Sequence, residues 1–156
     1  MEKKLPIFLV IIVAVVILSF LAIRYTMEAT AISKLQVTVK SVQIQEIKVT
    51  YTKLKLFIEI SNPTNEDISQ LSTDYNIFIA GSIVGEGSMP LTNIPAQTVK
   101  ETSTTVIIYF ANVANVVIDA ITNQKFNLTI QGTLHAKVLF GLVSILQDFS
   151  SGYSYS

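Results

Sequence analysis

Residues 126–140 read FNLTIQGTLHAKVLF. Phe126, Leu128, Ile130, Leu134, Ala136, Val138 and Phe140 fall on even positions, and Asn127, Thr129, Gln131, Thr133, His135 and Lys137 on odd ones. A period of two over this length describes a strand with one face in a core and the other in water, bent near Gly132. Each large apolar side chain on the inner face contributes roughly 1.5–3 kcal/mol before entropy is subtracted. Leu54, Leu56, Ile58 and Ile60 alternate in the same way with Lys53, Lys55, Glu59 and Ser61; Phe57 interrupts the polar face.

The neighbouring segments extend this pattern. Leu35, Val37 and Val39 alternate, but the apolar phase changes at Ser41 to Val42 and Ile44, which predicts a bulge or a corner where the strand changes sheets. Tyr75, Ile77 and Ile79 lead into Ala80-Gly81-Ser82 and then Ile83-Val84, a hairpin signal with Gly81 available for positive φ. Gly85 and Gly87 weaken the second arm, as in an edge or bulged strand. Pro90 and Pro95 bracket an expected loop before the β-rich run Thr98 to Phe110. Val113, Val116, Val117, Ala120 and Ile121 recur at helical spacing, predicting a helix of about ten residues packed on a sheet. Some seven strands with one short helix make a mainly β, two-layer sandwich.

Ahead of this domain, Leu5 to Ile23 reads LPIFLVIIVAVVILSFLAI, without a charge. At about 1.5 Å per residue it makes a helix of roughly 28 Å, close to the thickness of a bilayer's hydrocarbon core. Fifteen of its residues are Leu, Ile, Val or Phe, and at about 0.4 kcal/mol each they favour lipid by at most ~6 kcal/mol. Pro6 sits in the first turn, where a missing N–H costs little. Lys3 and Lys4 resemble the basic start of a secretory signal, and Ala29-Thr30-Ala31 has the form a signal peptidase accepts. The apolar run exceeds the length of a cleaved signal, and the motif lies eight residues beyond its end, so an uncleaved signal anchor is expected. The four-residue head stays in the cytoplasm on this reading, and the domain is placed outside the cell membrane. The organisation is a head (1–4), a transmembrane helix (5–23), a linker (24–33), the sandwich (34–148) and a flexible Ser/Tyr tail (149–156).

Eleven basic and eleven acidic residues cancel and are scattered, leaving no basic stripe for nucleic acid. Without cysteine, an external domain of this size relies on apolar burial and can be neither a disulfide framework nor a thiolate metal site. The single histidine, His135, lies on the polar face of its strand with no nucleophile turn beside it, which reads as a solvated surface residue. Glu66-Asp67 and Asp74 form the densest acidic patch; their spacing matches no EF-hand, so a solvated turn is expected rather than a Ca²⁺ site. Gly81, Gly85 and Gly87 make no phosphate loop, because neither a lysine nor a helix follows. No cofactor or metal ligand set and no catalytic residue emerges, and a pocket joining Asp119, His135 and a hydroxyl would be needed for enzyme chemistry. Asn127-Leu128-Thr129 is a glycosylation sequon with Asn127 and Thr129 directed outward, whereas Pro63 excludes Asn62-Pro63-Thr64.

Specific residues recur in order along these elements. Val37 to Ile44 precedes a strand ending in Asn62-Pro63-Thr64-Asn65; then come Tyr75-Asn76-Ile77, Ala80-Gly81, Gly85-Glu86-Gly87, Ile94-Pro95-Ala96 before the Thr98 strand, the helix, and Phe126 to Gly132. This succession resembles the LEA-2 domain of late embryogenesis abundant proteins, also called the WHy domain, over roughly residues 34 to 148. The resemblance implies an immunoglobulin- or fibronectin-III-like sandwich behind an N-terminal membrane helix. It also implies a role in protecting membranes or client proteins under stress, or in lipid contact, without catalysis. Phe57, Phe78 and Tyr109 are candidate contacts for a lipid or protein partner. The competing expectation is a structural subunit of a surface filament or membrane complex, assembling through sandwich edges, with the segment after the anchor donating a strand.

Overall fold

The computed structural model describes residues 4–156, so Met1, Glu2 and Lys3 of the expected head lie outside the described residues. A helix, α1 (Lys4–Ser33), is followed by strands β1 (Gln36–Ile47), β2 (Tyr51–Asn62), β3 (Ile68–Ile79), β4 (Ser82–Ile94) and β5 (Thr98–Tyr109). A 3-10 turn (Phe110–Asn112) and helix α2 (Asn115–Thr122) cross to β6 (Phe126–Val138), and β7 (Val143–Tyr155) completes the chain. All pairings are antiparallel, in one sheet ordered β1-β2-β5 and another ordered β4-β3-β6-β7. This is the two-sheet sandwich that the alternation predicts.

The alternation of β6 is realised from Phe126 to Val138, whose six apolar residues on the even positions are buried. It stops there: Leu139 and Phe140 enter a turn with φ of 50° and 59°, and Phe140 emerges into solvent instead of continuing the inner face. The phase change in β1 is a bulge, since Val39 faces Ile58 and Ser41 faces Phe57 with Lys40 left over, and Val39 and Val42 both point inward. The hairpin at Ala80-Gly81 forms with both residues at positive φ (49° and 77°), which matches the twist of the flanking strands. Pro90 does not start a loop. It lies inside β4, an edge strand with a register shift between Leu71 and Thr73, where a missing N–H breaks no ladder. The predicted helix is shorter, eight residues, with Val117 and Ile121 buried and Val116 exposed.

Two expected domain boundaries are corrected. Residues 149–156 are not a loose tail: β7 runs to Tyr155 and pairs with β6 along its whole length. Phe149, Tyr153 and Tyr155 pack on the core from alternate positions, and the Tyr155 ring stacks on Phe126 with centroids 5.0 Å apart. Residues 24–33 are not a linker either, because α1 continues without a break to Ser33 and β1 begins at Gln36.

The interior divides into two clusters, one toward each open end of the sandwich. Around Leu54, Ile79, Ile108 and Leu128, Val117 and Ile121 of α2 close one end. Around Ile60, Leu71, Ile94 and Leu134, Ala31 and Ile32 from the last turn of α1 close the other. The sheets also meet at their sides, β1 against β7 and β4 against β5, with the Val39 N–H donating to Ser151 Oγ at 3.0 Å.

Candidate functional site

The most organised polar structure is the junction where α1 enters the sandwich. At 1.5 Å per residue the thirty residues of α1 span about 45 Å, roughly 15 Å more than the ~30 Å thickness of a bilayer's hydrocarbon core. The side chains described from Pro6 to Phe20 are all exposed and almost all apolar, which leaves the helix apolar on every side and long enough to cross a membrane. Ser19 donates its hydroxyl to the Val15 carbonyl at 2.8 Å, satisfying the one polar group within the run.

Arg24, the first charged residue after Ile23, places its guanidinium 2.8 Å from Glu28 Oε1 and 3.4 Å from Glu66 Oε2. Glu28 Oε2 in turn accepts the main-chain N–H of Leu139 at 2.7 Å. Helical spacing puts Arg24, Glu28 and Ile32 on one face, four residues apart, and that face docks onto the β2–β3 loop and the β6–β7 turn.

Glu66 is itself held by a buried asparagine. Asn62, 1% exposed, donates from Nδ2 to the carbonyls of Glu66 (2.7 Å), Ile94 (3.1 Å) and Pro95 (3.2 Å). Its Oδ1 accepts from Thr64 N (3.1 Å) and Thr64 Oγ1 (2.7 Å). The sequence shows Asn62-Pro63 as a strand stop; the structure makes Asn62 the tie between the β2–β3 and β4–β5 loops. Asp67 Oδ1 reinforces the tie by accepting from Ala96 N at 2.7 Å.

The acidic patch is therefore dispersed. Glu66 pairs with Arg24, Asp67 caps Ala96, and Asp74 sits on the outer face of the four-stranded sheet, 3.5 Å from His135 Nε2. Among the described residues no three His, Cys, Asp or Glu side chains are grouped to hold a metal ion. His135 is half-exposed; Ser72 stands opposite it in the register without a side-chain hydrogen bond to it, and Asp119 lies on the exposed side of α2. A shallow concavity of about 580 Å³ on the same outer face is lined by Asp74, Asn76, Glu86, Ser88, Gln131 and Thr133.

The candidate contact residues do not converge. Phe57 is half-buried on the outer face of the three-stranded sheet with the Lys55 ammonium 5.1 Å from its ring centroid, and Tyr109 is exposed on that sheet, 6.2 Å from Tyr51. Phe78 is half-buried on the other sheet, opposite Thr129 and Ile83. Asn127 is exposed and accepts from Ser154 Oγ at 2.7 Å, which leaves its amide nitrogen open. On the β1–β2 hairpin, the Lys48 ammonium at 3.1 Å and the Tyr51 hydroxyl at 3.0 Å hold Glu46 below the usual carboxylate range.

No model of a known protein family matches the chain, and no curated protein matches it. Among solved structures, it is similar to the solution structure of AT1g01470 from Arabidopsis thaliana, with a TM-score of 0.59 and 16% identity over 77% of this chain and 80% of that one. A protein from Archaeoglobus fulgidus aligns with a TM-score of 0.42 and 10% identity over 78% of this chain and 96% of its own. A Bacteroides uniformis β-glucuronidase aligns with a TM-score of 0.47 and 9% identity over 76% of this chain and 14% of the enzyme. The Arabidopsis protein and this chain share a fold.

Proposed function

We propose that the chain is a non-enzymatic, single-pass membrane protein that displays a LEA-2-like sandwich outside the cytoplasm, protecting the envelope under stress or binding a lipid or protein surface. One observation carries this reading: a single uninterrupted helix holds the lipid-soluble run at one end and is part of the sandwich core at the other. A flexible tether would let the domain roam; this joint keeps it at the bilayer in one pose. The order of motifs from Asn62-Pro63 to Gly132 supports the LEA-2 assignment. Retention of the anchor is supported by Ala31, only 2% exposed, since cleavage after it would strip Arg24, Glu28 and Ala31 from the packed end of the domain.

The protective role is tested with sealed vesicles that carry the full chain and an entrapped dye, frozen and thawed beside vesicles carrying residues 1–34 alone. Greater dye retention with the full chain is the expected result. Equal leakage removes protection of the bilayer as the function.

A further inference from the structure

We propose that the β6–β7 turn, Leu139 to Leu142, is a second membrane contact that seats Phe140 and Leu142 in the lipid headgroup layer beside the exit point of α1. The inference rests on the reading of residues 5–23 as a membrane span. Phe140 and Leu142 are 80% and 79% exposed, the most exposed apolar side chains of the sandwich after Val49. Their display is enforced by the backbone. Leu139, Phe140 and Gly141 take φ of 50°, 59° and 86°, a left-handed conformation that opposes a Leu and a Phe sterically. Without that reversal the period of β6 would turn Phe140 inward.

The turn also has a fixed depth. Its first N–H is bonded to Glu28, five residues beyond Ile23 and therefore about 7.5 Å further along the helix axis. Phe140 lines a cleft of about 220 Å³ together with Arg24, the residue next to Ile23, as well as Lys137 and the carboxylates Glu28 and Asp67, which are engaged by the Leu139 and Ala96 N–H groups. A bilayer of ~40–45 Å with a ~30 Å core has a headgroup layer of roughly 5–8 Å on each side, so a turn held between the levels of Arg24 and Glu28 lies within it. That layer suits an aromatic ring and a leucine next to cations, because it is apolar on one side and anionic at the phosphates. Lys137, exposed at the rim of the cleft, meets the phosphates. The occupant that this position and depth select is the bilayer that the helix has just left.

The chain contains no tryptophan, so Phe140→Trp, Leu142→Trp, Phe20→Trp and Val49→Trp each give a full-length protein with one indole. Reconstituted into phosphatidylcholine vesicles brominated along the acyl chains, Phe20→Trp is quenched and reports the anchor. Phe140→Trp and Leu142→Trp are also quenched, more by bromines near the headgroup than by bromines at the chain ends. Val49→Trp, 95% exposed in wild type at the opposite end, is not quenched. Quenching of Phe20→Trp with both turn variants as unquenched as Val49→Trp overturns the inference and leaves the anchor intact. Absence of quenching at Phe20→Trp overturns the anchor, and the inference with it.

Discussion

The Glu28 carboxylate accepts the Leu139 N–H at 2.7 Å, joining helix α1 to a turn 111 residues later in the chain. The other carboxylate oxygen pairs with Arg24, so one side chain couples the exit of the helix to the base of the sandwich. Hydrogen bonds to a charged group are worth about 1.5–3 kcal/mol, less where water reaches the pair. Glu28→Ala is expected to lower stability by about 1–2 kcal/mol and to speed hydrogen exchange at the Leu139 amide, with Glu28→Gln intermediate. Unchanged exchange at Leu139 would show that the bond does not hold the turn.

Asn62 tests the loop tie. Asn62→Ala leaves three carbonyls and the Thr64 donors to find new partners, at a cost of about 3 kcal/mol in urea unfolding. Asn62→Asp should be worse at neutral pH, because a carboxylate then faces the carbonyls of Glu66, Ile94 and Pro95. Acidification protonates it and returns part of the loss. A midpoint within error of wild type for Asn62→Ala would remove the asparagine from its assigned role.

Gly132 is the tightest point of the four-stranded sheet. An added Cβ would overlap the Asp74 carbonyl and stand 2.6 Å from Tyr75 Cβ, obstacles that belong to the neighbouring strand and cannot swing away. Gly132→Ala is expected to cost about 3 kcal/mol. Gly152→Ala, whose Cβ meets nothing closer than 3.8 Å, should stay within ~0.5 kcal/mol of wild type. Equal thermal midpoints for the two variants would contradict this packing.

Tyr75 predicts an alkaline limit. Burial of its ring pushes the phenol above its ordinary value of about 10, with the neighbouring Thr104 side chain acting the other way. A folded-state pKa raised above the unfolded one means that the stabilising difference is complete below about pH 10 and is lost as pH rises from there through the folded value. Stability of Tyr75→Phe should therefore fall less steeply above pH 10 than that of wild type, as read by urea midpoints at several pH values. Parallel curves would place the ionisation elsewhere.

How much of this was legible depends on how distinct the two faces of each element are. In β6 the inner face carries Phe, Leu and Ile and the outer face Asn, Gln and Lys, so both the strand and its buried residues could be read from period two. In β7 the same period is carried by Phe149, Ser151, Tyr153 and Tyr155 against Ser150, Gly152 and Ser154. Both faces then hold small polar groups, the contrast fades, and the segment resembles a disordered tail although its odd positions face the core. Phe140 departs from the sequence pattern because the alternation runs past Val138 while the backbone reverses. The helix–sandwich junction left one local signal, the spacing of Arg24, Glu28 and Ile32 on a single helical face. Nothing near Asn62 in the chain announces its acceptors at Ile94 and Pro95, 32 and 33 residues away.

Protease added to sealed, right-side-out vesicles holding the full chain with a tag at each end is the most direct test of one helix crossing the bilayer and carrying the sandwich outside. The expected result is loss of the carboxy-terminal tag from intact vesicles, with the amino-terminal tag protected until detergent is added. Loss of the amino-terminal tag with protection of the other, or recovery of the uncleaved chain in the aqueous supernatant, would contradict it.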